Sequence, residues 1–242
     1  KPHRIDDRGS QVMKALEEIG FDQYYQAETT GWVLYLEGST DLAILRAFAE
    51  QLEHPAAEHL ERPFVHYVAN DTKGAQSHFH GLREAKSDLV GIAIYDRLER
   101  DLPNDGILRQ RVWKRRELEN YLCSRDVLRA WARDKGSQDG DLFAAGWATA
   151  MEEAIGDVEQ ALETLNKPSP WGPDCKVTDD FLDSLFPKFF KKLKIPNLMR
   201  KTDYHELARF VPAGAIDADI TEKLDAVVET AEAAHVGPKE SD

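Results

Sequence analysis

Glu37, Asp41 and Asp96 are the residues whose types and spacing point most directly to chemistry. Glu37 ends the apolar run Trp32-Val33-Leu34-Tyr35-Leu36, and Asp96 ends a second, Leu89-Val90-Gly91-Ile92-Ala93-Ile94-Tyr95. In open parallel α/β sheets ligands collect beyond the carboxyl ends of the strands, so acids placed there stand where a substrate would bind. Asp41 follows Glu37 by four residues, and the first turn of a helix would hold it on the same side, with Gly38 letting the chain turn sharply between them. Hard divalent cations such as Mg²⁺ take such oxygen donors and keep positions open for a phosphate. Two such ions can hold the attacking and leaving oxygens of an in-line phosphodiester cleavage. Glu117 and Glu119 follow a fourth candidate strand, and one or both could reach the same sheet edge. Position alone admits a plainer account, in which Asp41 is a first-turn acid favoured by the helix dipole and Asp96 caps a turn.

The elements that must position these acids are legible in the periodicity. Residues 9–28 have helical spacing, and Thr29-Thr30-Gly31 breaks it before the first strand, 32–36. Leu42, Leu45, Phe48, Ala49 and Leu52 recur helically after Asp41. Pro63 to Val68 reads as a second strand, Ala75 to Ala85 as a helix, Leu89 to Tyr95 as a third strand and Ile107 to Trp113 as a fourth. Strands this apolar, alternating with helices, imply a parallel sheet covered on both faces. From Asp126 onward the pattern is helical: Asp126 to Arg133, Leu142 to Leu165, Asp179 to Leu193, Tyr204 to Phe210 and Ile220 to Ala234, with Thr178 and Asp219 as expected N-caps. The expected fold is therefore an α/β domain over 1–125 and an all-helical domain over 126–242.

Composition narrows the class. The 242 residues are 42% hydrophobic, enough for a buried core, and no apolar run reaches the roughly 18–20 residues of a membrane span. A soluble, cytoplasmic protein is expected, and the start at Lys1 suggests a piece of a longer chain. Cys123 and Cys175 lie far apart without CxxC spacing, which supports neither a disulfide framework nor a thiolate zinc site. His78 and His80 lie in a helical pattern without a third ligand of suitable spacing, and His205 does not complete a set, so zinc is not expected. The net charge of −13 opposes nucleic-acid binding as a bulk property. Positive charge is nevertheless concentrated in Arg109, Arg111, Lys114, Arg115 and Arg116, and in Lys188, Lys191, Lys192 and Lys194. Either run can be a solvated face or a phosphate-tracking surface. Trp113, Trp131, Trp147, Phe186, Phe189 and Phe190 sit at core-like spacing and read as packing residues rather than base-stacking platforms.

A family resemblance enters at these motifs. Val33-Leu34-Tyr35-Leu36-Glu37-Gly38-Ser39-Thr40-Asp41 resembles the glutamate motif opening a Toprim domain, and Ile92-Ala93-Ile94-Tyr95-Asp96-Arg97 resembles its aspartate-bearing strand. Lys114-Arg115-Arg116-Glu117-Leu118-Glu119-Asn120-Tyr121-Leu122 is similar to the Toprim half of OLD-family (overcoming lysogenization defect) nucleases. The resemblance implies a Toprim-like fold with an accessory helical domain and an N-terminal ABC-type ATPase as partner in the whole protein. It also implies DNA as substrate, two Mg²⁺ or Mn²⁺ ions, and Ca²⁺ as a non-productive substitute. It marks Lys201 as a lysine that reaches the metal site to neutralise developing charge. Position 98, where the usual motif has a second aspartate, is Leu. Glu99 or Asp101 would then supply the missing carboxylate, or a second metal would rely on Glu117 or Glu119. Leu98 also sustains the alternative of a Toprim-fold binding module that has lost catalysis.

Overall fold

The computed structural model describes residues 19–100, 102, 106–137 and 141–234. Asp101 and the first half of the helix expected over 9–28, residues 9–18, lie outside them. By its internal contacts the chain forms two compact units. One takes the chain up to Gly38, Pro55–Val112 and the chain from Glu222 onward; the other takes Ser39–His54 and Trp113–Thr221.

The first unit is built on four parallel strands: β1 (Trp32–Leu36), β2 (Val65–Tyr67), β3 (Val90–Tyr95) and β4 (Leu108–Val112). Their order is β2-β1-β3-β4. Leu34 stands beside Val65 on one side and Ile92 on the other, and Tyr95 beside Val112. All five β1 residues are buried, as expected of a central strand covered on both faces. Helices α1 (Phe21–Thr30) and α4 (Thr72–Ala85) belong to this unit with the short α3 (Ala56–Glu61), which the periodicity did not reveal. Ala27, Val33, Tyr35, Phe79, Leu82, Ala93 and Tyr95 share one core, and Leu98 packs against it. At Gly91 a Cβ would lie 2.8 Å from the Phe79 ring, so the strand admits that ring only without a side chain.

One polar network interrupts the core. Tyr35 Oη lies 2.8 Å from His78 Nδ1, His78 Nε2 lies 2.7 Å from Gln23 Oε1, and the His78 ring stacks on His66 at 3.8 Å. With Gln23 Oε1 able only to accept, the neutral imidazole donates from Nε2 and accepts from the tyrosine at Nδ1. Burial, reinforced by His66, lowers the His78 pKa to about 4. The unfolded chain therefore binds a proton that the folded chain refuses as pH falls from about 6.5 toward 4, and stability drops across that window. Discounted for partial exposure, the loss should be roughly 1–2 kcal/mol. Unfolding free energies from urea titrations at pH 7 and pH 4.5 should differ by this amount in the wild type and by much less in His78→Gln.

The second unit contains α2 (Ser39–Gln51), α5 (Arg125–Ser137), α6 (Asp141–Thr164), α7 (Asp183–Leu193) and 3₁₀ segments at Leu118–Tyr121 and Lys201–Phe210. Helix α8 (Ala218–Glu232) begins in this unit. Trp131 is enclosed edge-on by Phe186, Phe189 and Phe190, and all four are buried. Trp113 is also core, whereas Trp147 is only partly buried. The expected caps differ. Thr178 enters a wide π-type turn over Thr178–Leu182 and makes no side-chain cap; its hydroxyl is buried without a partner among the described residues. Asp219 is not the cap of α8 either, because the Asp217 side chain accepts from its backbone N–H at 3.0 Å. Asp219 is instead a buried acceptor for the Tyr121 hydroxyl and for the Lys114 backbone N–H. Cys123 and Cys175 are buried free thiols. Among the described residues no helix is long and apolar enough to cross a membrane.

Candidate functional site

The order β2-β1-β3-β4 means the chain leaves β1 toward one side of the sheet and returns to the other, so the carboxyl ends of β1 and β3 flank the topological switch point. That crevice is where open α/β sheets bind ligands. Glu37 follows β1 directly and Asp96 follows β3 directly. A third residue, missed by the sequence reading, joins them. Asn70, just past β2, donates from Nδ2 to Glu37 Oε2 at 2.8 Å and to Asp96 Oδ2 at 3.4 Å, while its Oδ1 accepts from the Asp96 backbone N–H at 3.0 Å. One amide thus ties together the ends of three neighbouring strands and draws two carboxylates onto a single donor group. The amide neutralises none of their charge.

The backbone is bent to deliver that amide. Ala69 and Asn70 both lie in the left-handed region, at φ 43° and 62°, between β2 and Asp71, whose side chain caps α4 through Gly74 N. Asn tolerates this conformation better than most residues because its short polar side chain can bond locally. The amide and the turn can be separated by substitution. Asn70→Gly keeps the turn and removes the amide, while Asn70→Ala removes the amide and adds about 1–2 kcal/mol of left-handed strain. Thermal melts should rank wild type above Asn70→Gly and Asn70→Ala lowest; equal stability of all three would mean that neither the turn nor the amide matters.

The remaining acids gather in the second unit. Glu119, 5% exposed, stands in the 3₁₀ turn over Leu118–Tyr121. That turn is pinned by Asn120, whose Oδ1 accepts from Glu117 N at 3.0 Å and whose Nδ2 donates to Cys175 O at 3.0 Å. Burial, with the nearby charges of Glu117 and Asp41, raises the Glu119 pKa to about 8, partly offset by Lys201. Glu117 is 4% exposed, and its carboxylate accepts from the Thr178 backbone N–H; burial also raises its pKa. Asp41, in the first turn of α2, is 8% exposed. Tyr204, whose Oη donates to Asp183 Oδ1 at 2.7 Å, also feels the Glu119 charge. Asp183 and Tyr204 carry no local motif that could have marked them.

The other expected residues fall differently. Glu99 is exposed, and Leu98 turns toward the core, so position 98 serves packing. Arg109 pairs with Glu229 at 3.1 Å, Lys114 with Asp219 at 3.4 Å and Arg115 with Asp217 at 3.7 Å, the Arg115 guanidinium also lying over the Tyr121 ring. Arg111 donates to the Gln110 carbonyl at 3.0 Å, and Arg116 N to Pro173 O at 2.7 Å. Lys192 pairs with Asp157 and Glu153. Lys188, Lys191 and Lys194 are exposed on and just after α7. Most of the first basic run is thus engaged within the protein, whereas α7 presents the freer cationic face.

Among the described residues no three or more His, Cys, Asp or Glu come together as a ready cage for a metal ion. A pair of carboxylates, the rest of the shell being water and substrate phosphate, is how Mg²⁺ is commonly held, and Glu37 with Asp96 fits that pattern. Compared with known protein families, curated proteins and solved structures, the chain matches none.

Proposed function

We propose that this chain is a Mg²⁺- or Mn²⁺-dependent nuclease that hydrolyses DNA phosphodiesters. The observation that carries the reading is the convergence of Glu37 and Asp96 on Asn70 at the switch point of a parallel sheet. Glu37 and Asp96 would hold the ion, with Asp41, Glu117 and Glu119 as candidates for a second. When bound, the metal supplies Lewis-acid polarisation of the phosphodiester and eases deprotonation of water. Asn70 fixes the spacing of the first two carboxylates, so that little reorganisation is needed when phosphate arrives. Glu119 holds its proton at neutral pH and carries no charge until a cation displaces it. Lys201, whose charge Glu119 feels, would stabilise negative charge developing on phosphate oxygens. Lys188, Lys191 and Lys194 would track the backbone, giving salt-dependent binding with little sequence preference.

The resemblance to OLD-family nucleases extends this reading to a Toprim-like first domain, a helical domain over 126–242, a cytoplasmic location and an ATPase partner. A second reading, a Toprim-fold binding module without catalysis, is favoured by Leu98 packing into the core where a second aspartate would stand. Plasmid nicking in Mg²⁺ or Mn²⁺ separates the two. Cleavage abolished by EDTA supports the nuclease; DNA retention without cleavage supports the module.

A further inference from the structure

The chain segments that carry Asn70 and Asp96 meet a second time, at Thr72 and Arg100. Thr72 opens α4 two residues beyond Asn70, and Arg100 lies four residues beyond Asp96. Arg100 Nη2 donates to Thr72 Oγ1 at 3.0 Å. All four residues belong to the first unit, and two residues of chain span at most about 7 Å, so Thr72 stands close to the group formed by Glu37, Asn70 and Asp96. Thr72 is only 1% exposed, whereas Arg100 is exposed. A guanidinium has five N–H donors and no acceptor, so the hydroxyl accepts in this bond and its own proton remains to be given away. Among the described residues nothing accepts that proton. Nor does Arg100 form an ion pair among them, unlike Arg109, Arg115, Arg125 and Arg209. The nearby Asp71 carboxylate is taken up by the Gly74 backbone N–H at 3.0 Å.

We infer that Arg100 and Thr72 form a phosphate-binding arm beside the acidic pair, and that its ligand is a DNA backbone phosphate flanking the one to be cut; the identity of that ligand rests on the nuclease reading. A neutral, buried anchor holds the guanidinium without cancelling its charge, and its remaining donors are left for an anion. A phosphodiester offers two non-bridging oxygens, one for the guanidinium and one for the hydroxyl proton, and charge assistance makes the first of these bonds the stronger. Glu37 and Asp96 repel phosphate until a metal intervenes, so a cation outside the pair is what can hold the strand in register. Such a contact positions the backbone and carries no sequence information.

The test follows binding of a fluorescein-labelled DNA duplex to the whole chain by anisotropy over a range of salt concentrations, in EDTA so that no cleavage intervenes. Arg100→Gln is expected to weaken binding about 3- to 10-fold and to lower the slope of log Kd against log salt by about 0.9, the share of one phosphate. Arg100→Lys keeps the charge, so it should retain the slope while losing part of the affinity, a pattern that a purely structural role would not produce. Thr72→Val, which keeps the shape and removes the hydroxyl, should also weaken binding. The melting temperature of Arg100→Gln should match that of the wild type, because the side chain is exposed. A wild type that does not bind the duplex, or an Arg100→Gln variant with unchanged affinity and slope, overturns the inference. Plasmid cutting in Mn²⁺ keeps the two claims apart. Cutting with an unchanged Arg100→Gln slope removes the arm and leaves the nuclease; an Arg100-dependent slope without cutting keeps the arm and removes the nuclease.

Discussion

Replacing Asp96 with Asn is expected to lower plasmid nicking in Mg²⁺ or Mn²⁺ by at least about 100-fold, because the Lewis-acid contribution of a bound ion amounts to several kcal/mol of barrier and each 1.4 kcal/mol is tenfold. The substitution conserves shape. The new amide can turn its oxygen toward Asn70 Nδ2, and the backbone N–H at position 96 still reaches Asn70 Oδ1. The melting temperature should therefore shift by no more than a few degrees, which separates loss of chemistry from loss of fold. Glu37→Gln should have an effect of similar size, and the double variant should be little worse than either single one, since residues acting as a unit are not additive. Wild-type-level cutting by Asp96→Asn would remove this carboxylate from the reaction.

The second large effect concerns Glu119. In the folded chain its carboxyl keeps a proton up to about pH 8, while in the unfolded chain it loses that proton near 4.5. Between these values the unfolded state binds fewer protons, so stability falls as pH rises through the window and levels off above it. The difference is on the order of 4 kcal/mol at pH 8. Glu119→Gln is never charged, so it should melt roughly 8–16 °C above wild type at pH 8.5 and close to it at pH 5. Divalent metal provides a further check. If Glu119 helps to hold an ion, Mg²⁺ should raise the wild-type melting temperature, with proton release below about pH 8, and should do so less in the variant. A flat wild-type profile from pH 5 to 8.5 would mean that Glu119 is charged at neutral pH.

Much of the sheet could be read locally. Trp32–Leu36 and Val90–Tyr95 are so apolar that only strands buried on both faces account for them, and the acids just beyond follow as strand-end residues. The long helix over Asp141–Thr164 was equally plain from its period and its Pro-rich exit. Caps were less legible. Thr178 and Asp219 have cap-forming side chains, but tertiary partners decide their use: Glu117 takes the Thr178 N–H, and Tyr121 and Lys114 take Asp219. Leu98 could be seen as a departure in the sequence, whereas the reason for it, packing against the first core, could not.

The sequence by itself determined that this is an α/β chain with parallel strands and with carboxylates at their ends, because side-chain period and apolar runs are local properties of the chain. Only the tertiary structure decided which acids meet. The order β2-β1-β3 brings Asn70 beside both Glu37 and Asp96, residues 33 and 26 positions away from it. Burial likewise raised the Glu119 pKa, since desolvation depends on what encloses a carboxylate, and no spacing of residues along the chain encodes that.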